Sequence, residues 1–286
     1  LADAPGHVQY TRNMAVAAST ADVAILLADA GRGTRDQTHR HLAVCALMGV
    51  RHVVLAVNKM DAVGYRQATY EEIVDEIRVS AAAHGVDDVV AIPVSALTGA
   101  NVVTASDEMV WYRGPTLLAA LDSLVLPSEA QAGLRLPVQT IIRAEGFRGY
   151  GGIVASGTVQ AGSKVKVADS GQTAVVSRIV SLVGDESAEV DAVSAGFSVA
   201  LELDRDLDIT RGDVLSDVDD APVPADRFAA DVVWMAGQPL APGRSYTLRA
   251  GPLEVPATVT RIRHRLDVTD GTELAARSLE MNDVGR

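Results

Sequence analysis

His52-Val53-Val54-Leu55-Ala56-Val57-Asn58-Lys59-Met60-Asp61 is an apolar run that stops at a polar turn. A strand with one wet face would alternate apolar and polar residues. This run does not, so it reads as a strand covered on both faces, His52 to Asn58. Two similar runs flank it, Asp22 to Asp29 before and Val89 to Ser95 after. Helical spacing fills the intervals: Val8 to Ala18, Asp36 to Met48, and Tyr70 to His84 with Ile73 and Ile77 one turn apart. Pro115 to Leu124 is expected to be a further helix, its proline suited to the first turn. Buried strands alternating with helices predict a parallel, doubly wound α/β sheet.

The pattern changes after Pro127. Ser128 to Arg135 reads as a polar linker, and from Leu136 onward short Val-rich strands are separated by glycine turns, as in Gly151-Gly152-Ile153-Val154-Ala155-Ser156-Gly157 and Ala161-Gly162-Ser163-Lys164-Val165-Lys166-Val167. This is the signature of an antiparallel β-barrel. An acidic, proline-containing break covers Asp217 to Asp226. Ala229 to Met235, Ser245 to Arg249 and Val255 to Arg263 then read as strands of a further β module. The expected segments are an α/β domain over 1–127, a β-barrel over 134–218, and an incomplete second barrel over 226–286.

Hydrophobic residues at 48% against 22% charged describe a folded globular chain and exclude a disordered one. No apolar run reaches the length that spans a bilayer, and the first residues do not resemble a signal peptide, so no membrane partner is expected. A net charge of −12 argues against general attraction to phosphate backbones, and no nucleic-acid partner is expected. The single cysteine, Cys45, permits no intrachain disulfide or cysteine-based zinc site and fits a reducing, cytoplasmic setting. It sits in an apolar helical pattern and reads as a small packing residue. His39, His41, His52, His84 and His264 read as surface or packing residues, with no third metal ligand in view.

Three short motifs carry chemistry. Asn58-Lys59-Met60-Asp61 has the form N-K-x-D. A carboxylate at Asp61 can accept from the ring N–H and the exocyclic amine of guanine, whereas adenine offers no such donor pair and would leave it unpaired. The stem of Lys59 can cover the base, and Asn58 can tie neighbouring loops. Asp3-Ala4-Pro5-Gly6-His7 has the form D-x-P-G. Its aspartate would hold Mg²⁺ through a water, Gly6 lets a γ-phosphate approach, and His7 is placed to orient an attacking water. Ser95-Ala96-Leu97 follows the third strand, where a backbone amide can meet the guanine carbonyl. Taken alone, each also fits a polar turn at a strand end. Together, in this order at the carboxyl ends of parallel strands, they point to GTP, with Mg²⁺, at the edge where open α/β sheets bind ligands.

The stretch Asp3 to Met14 resembles the elongation-factor-Tu-like GTPases. Within them the chain is similar to the GTP-hydrolysing large subunits of sulfate adenylyltransferase. That resemblance rests on Leu42 to Asp61, Trp111-Tyr112-Arg113-Gly114-Pro115-Thr116-Leu117-Leu118, Phe147-Arg148-Gly149-Tyr150 and Arg261-Ile262-Arg263-His264-Arg265-Leu266-Asp267-Val268, nearly the length of the chain. It implies a P-loop-GTPase-type domain followed by β-barrels, and a heterodimer with an ATP-pyrophosphatase-like small subunit. GTP hydrolysis would then drive formation of adenosine 5′-phosphosulfate from ATP and sulfate. The readings weighed against it are a translation factor that delivers aminoacyl-tRNA and an inactive remnant. One departure matters: the sequence contains no G-x-x-x-x-G-K-S/T phosphate loop. The chain is therefore expected to be a fragment truncated at both ends that, expressed alone, binds GTP poorly, hydrolyses it negligibly and folds badly. The same resemblance leaves open an adenylylsulfate kinase domain downstream.

Overall fold

The computed structural model describes residues 2–4, 11–125, 132–144, 147–183 and 186–286. In chain order the helices are α1 Thr11–Ala18, α2 Asp36–Leu47, α3 Gln67–Ala83 and α4 Leu117–Asp122. The strands are β1 Val23–Asp29, β2 His52–Asn58, β3 Asp88–Pro93, β4 Arg135–Pro137, β5 Thr140–Ala144, β6 Phe147–Ile153, β7 Thr158–Gln160, β8 Lys164–Val167, β9 Thr173–Val183, β10 Glu186–Glu189, β11 Ala192–Ser194, β12 Ser198–Leu203, β13 Val214–Asp217, β14 Val232–Val233, β15 Ser245–Ala250, β16 Leu253–Thr258, β17 Arg265–Leu266, β18 Glu273–Leu274 and β19 Val284–Gly285. They pack as two units. One comprises Leu1–Leu126, Ala229–Arg244 and Val259–Arg286; the other comprises Pro127–Phe228 and Ser245–Thr258.

In the first unit β1, β2 and β3 form a parallel sheet in that order, with Asp29 opposite Asn58 and Val57 opposite Pro93. Alternate residues of β2 serve opposite faces, as a period of two requires. Val53, Leu55 and Val57 pack with Leu42 and Ala46 of α2 and with Ile73, Val74 and Ile77 of α3. Val54 and Ala56 join Ile92, Ala120 and the flank of α4. This is the doubly covered sheet that the apolar runs predict.

Two expectations need correction. The run Asp22 to Asp29 is expected to be buried on both faces, yet Leu27 is 64% exposed. Val23 and Ile25 share its face and pack toward Leu117, Leu121 and Leu124, but the short α4 does not reach Leu27. Helix α4 also starts later than Pro115. Thr116 is the cap, its Oγ1 accepting the Ala119 N–H at 3.3 Å, so the proline stands one residue before the cap. The N–H groups of Leu117 and Leu118 donate to the carbonyls of Asn101 and Val102, which satisfies the first-turn donors.

The Trp111–Tyr112 segment closes the β3 side. The Tyr70 hydroxyl donates to the Ala91 carbonyl at 2.8 Å, the Tyr112 hydroxyl donates to the Pro115 carbonyl at 3.0 Å with Ala91 O at 3.3 Å, and Trp111 Nε1–H donates to Tyr65 O at 3.0 Å. Burial pushes the Tyr112 phenol up to about 12, which keeps it a donor. Cys45 is buried on α2 beside Ala18 and Val50, and burial pushes its thiol up to about 11. It is a protonated packing residue at neutral pH. A smaller antiparallel sheet, in the order β14-β19-β17-β18, belongs to the same unit.

The second unit is antiparallel throughout. Its main path runs β4-β13-β8-β9-β12-β6-β5, with β10 on β9, and β7 pairs with β11 and β15 with β16 in two smaller ribbons. Arg135 of β4 also bridges Ser156, just beyond β6, so the sheet curls back on itself. The inner face is one aliphatic core that includes Leu134, Leu136, Val165, Ile179, Leu201 and Leu215. Tyr150 is buried among them, and its hydroxyl donates to Leu207 O at 3.1 Å.

Candidate guanine-binding site

The carboxyl ends of β1, β2 and β3 lie side by side, and each places one motif residue at the edge. Pairing of β1 with β2 continues one step past the register: Ala30 N–H donates to Asn58 O at 2.8 Å. The chain then reverses at Lys59, whose φ of 64° lies in the left-handed region that a non-glycine residue adopts only when held there. The Asn58 side chain does the holding. Its Oδ1 accepts the Lys59 N–H at 2.7 Å and the Ala96 N–H at 2.9 Å. One amide oxygen thus fixes both the N-K-x-D turn and the loop after β3.

Met60 is the anchor below the turn. It is fully buried in the first unit's core, and its N–H donates to Val94 O at 3.2 Å. The short 3₁₀ turn Met60–Val63 then presents Asp61, half-buried, beside the Ser95 loop. Ser95 is buried, and its hydroxyl donates to Asp61 Oδ1 at 2.5 Å while also accepting the Thr98 N–H at 3.3 Å. Asp61 Oδ2 has no protein donor among the described residues. A carboxylate has about four lone-pair sites, so Asp61 retains the capacity to accept two further N–H groups in one plane. Ala96 and Leu97 are exposed. The Ala96 N–H is committed to Asn58, whereas the Leu97 N–H has no acceptor among the described residues. Asn58, Lys59, Met60, Asp61, Ser95, Ala96 and Leu97 therefore form one connected edge, whose free groups fit the Watson–Crick side of guanine.

Of the D-x-P-G motif, Pro5, Gly6 and His7 lie outside the described residues. Asp3 is exposed, and Ala4 packs against Met14, Ala15 and Val44. A cavity of about 470 Å³ elsewhere in the first unit is lined by Arg261, Arg263, His264, Glu273 and Arg286, none of them a motif residue.

The structure adds Asp29, in the sequence only the end of a strand. Its Oδ2 accepts from Lys59 Nζ at 2.7 Å and its Oδ1 from the Gly31 N–H at 2.9 Å, with Arg32 Nε at 3.8 Å from Oδ2. The Lys59 hydrogen bond, foremost, holds the Asp29 carboxyl below its ordinary value. The contribution of that pair is thus present above the ordinary carboxylate pKa and lost as pH falls through the lowered one. An acidic residue closing the strand next to N-K-x-D was the signal available in the sequence.

The Ser95 bond to Asp61 gives a local test. Ser95→Ala leaves Asp61 less firmly aimed, and one hydrogen bond to a charged group contributes about 1.5 kcal/mol, or roughly tenfold in affinity. A competition titration of the full-length protein should show that loss for GDP with guanine still preferred over xanthine.

The profile of the elongation factor Tu GTP binding domain matches residues 1–127, and that of the GTP-eEF1A C-terminal domain-like family matches 227–286. Over the whole chain, the sequence is 43% identical to sulfate adenylyltransferase subunit 1 of Salmonella paratyphi C, covering 59% of that protein. It is 46% identical to the bifunctional enzyme NodQ of a Rhizobium species and to the bifunctional enzyme CysN/CysC of Xylella fastidiosa, covering 44% and 45% of those proteins. The chain is thus similar along its whole length to sulfate adenylyltransferase subunit 1 proteins, and its α/β part matches the elongation factor Tu GTP binding domain. It spans about half the length of these curated relatives. The match to a GTP binding domain over 1–127 agrees with the edge built by Asn58, Asp61 and Ser95. No helix among the described residues is long and apolar enough to cross a membrane.

Proposed function

We propose that the chain forms part of the GTPase subunit of a sulfate adenylyltransferase, in which GTP hydrolysis is coupled to formation of adenosine 5′-phosphosulfate from ATP and sulfate. The observation that carries the reading is the linked Asn58–Ala96 and Asp61–Ser95 geometry in a chain that is 43% identical along its own length to a subunit 1 protein. Asp61 accepts the two guanine donors, the Lys59 stem covers the base face, Asn58 keeps the two loops in register, and the Leu97 amide faces the base carbonyl. At the phosphate end, His7 orients the attacking water. Asp3 serves Mg²⁺ through a water, and Ala4, Pro5 and Gly6 are GTP-binding residues alongside it. Bound Mg²⁺ would supply charge neutralisation at the phosphates.

The functional segments are the GTP-binding domain over 1–127 and β domains over 134–218 and 226–286. The partner is a small, ATP-pyrophosphatase-like subunit in the cytoplasm, since coupling requires that nucleotide state change contacts with the protein that handles ATP and sulfate. The delivery of aminoacyl-tRNA fits less well with the chain's acidity and with its subunit 1 relatives. The test is reconstitution of the full-length protein with its small subunit. Adenosine 5′-phosphosulfate formation should rise when GTP is added and stay at the basal level with a non-hydrolysable analogue. An equal yield with and without GTP overturns the reading.

A further inference from the structure

We propose that Asp29 is a positioning residue of the guanine site: it anchors the Lys59 ammonium so that the lysine stem is already laid out as a platform for the base. The proposal rests on the guanine reading above and names the device that prepares one wall of that site.

The placement is built into the sheet. Asp29 and Asn58 are register partners at the ends of β1 and β2, so the residue after Asn58 emerges beside Asp29. The left-handed turn at Lys59 is fixed at its backbone by Asn58 Oδ1 and at its tip by Asp29 Oδ2. The side chain between these two fixed points is still 57% exposed. A free lysine has four rotatable bonds and would lose most of their freedom on covering a base. A stem held at both ends loses little more, and preorganisation of this kind raises affinity without adding a contact. The ion pair alone would be a minor surface interaction; its consequence is where it places the methylene groups.

The alternative is that Asp29 serves only its own turn, through the Gly31 N–H. The two carboxylate oxygens separate these roles. Oδ1 takes Gly31 and Oδ2 takes Lys59. Asp29→Asn preserves an oxygen for Gly31 and removes the charge facing Lys59. It therefore leaves the turn intact while releasing the lysine.

The experiment is a mutant cycle on the full-length protein, read by competition of GDP against a fluorescent guanine nucleotide. Asp29→Asn is expected to weaken GDP about five- to tenfold, and Lys59→Met to give a similar loss. The double variant should be no weaker than Lys59→Met alone, and Asp29→Glu should recover part of the affinity. Because the platform touches the ring face and not its edge, Asp29→Asn should leave the ratio of GDP to xanthosine diphosphate affinity unchanged. A second readout needs no nucleotide: the Lys59 ε-methylene protons should be inequivalent in the free protein and averaged in Asp29→Asn. Unchanged GDP affinity in Asp29→Asn overturns the proposal. So does an equal Asp29→Asn loss in the Lys59→Met background, or averaged methylene protons in the unaltered protein. Failure of the guanine reading itself is distinct, since it would show as equal GDP and ADP binding by the unaltered protein.

Discussion

Asp61→Asn is expected to convert a guanine site into a xanthine site. Guanine turns a ring N–H and an exocyclic amine toward Asp61, two donors for a group that only accepts. Xanthine keeps the ring N–H and replaces the amine by a carbonyl. A carboxamide matches that edge, one acceptor to one donor, and fails on guanine, where its NH₂ meets another NH₂. Sites built on such bonds discriminate by factors of about a hundred or far more, because the mismatch strands desolvated polar groups. The surroundings tolerate the change. Ser95 Oγ now donates to Asp61 Oδ1, but a hydroxyl can equally accept from an amide. Asn58 still holds Lys59 and Ala96. We therefore expect GDP affinity to fall about a hundredfold or more and xanthosine diphosphate to become the preferred ligand. The thermal unfolding midpoint should change by no more than a few degrees. Competition titration of the full-length variant measures both affinities.

The second large effect is on stability. Gly157→Ala should be severely destabilising for the β unit. Gly157 sits at φ +76°, and a Cβ there would lie 2.6 Å from both Cα and N of Leu134 and 2.7 Å from the carbonyl carbon of Gly133. These are backbone atoms and cannot rotate away. Leu134 is itself pinned, buried in the unit's core with its N–H on Asp217 Oδ2 at 2.8 Å. The left-handed backbone alone costs an alanine about 1–2 kcal/mol, and forced overpacking adds about 1–3 kcal/mol. Gly162 supplies the control. Its φ of +83° is as demanding, but nothing lies within 4 Å of its added Cβ, so Gly162→Ala should cost only the backbone share. Amide exchange in β6 and β12 should accelerate on the order of several hundredfold in Gly157→Ala and roughly five- to thirtyfold in Gly162→Ala. Equal acceleration in the two variants would show that the contact with Leu134 yields.

The parallel sheet was legible because burial on both faces leaves continuous apolar runs, and β2 in particular is covered by α2 and α3 on one side and by α4's neighbourhood on the other. What periodicity could not convey was where cover stops. Leu27 looks like its neighbours in the run, yet it is 64% exposed. The start of α4 depended on a side-chain cap at Thr116 that the preceding proline obscured. In the β segments, apolar composition marks strands but not their partners. Val255 to Arg263 reads as one strand, yet β16 ends at Thr258 and Val259 belongs to the other unit. Ala229 to Met235 contracts to Val232–Val233, where pairing with Val284 and Gly285 is available.

The edge motif was legible in a different sense. N-K-x-D and S-A-x name the side chains, and the structure supplies the bonds that join them, Asn58 to Ala96 and Ser95 to Asp61. Asp29 was only partly legible: the sequence shows an acidic residue closing the strand, but that it faces the lysine of the next strand arises from register.

The account depends on that edge reading guanine. Its most direct test is displacement of a fluorescent guanine nucleotide from the unaltered full-length protein by GDP and by ADP. GDP should displace it stoichiometrically, while ADP should fail to do so at a concentration about a hundred times higher. Displacement by both at similar concentrations would contradict it.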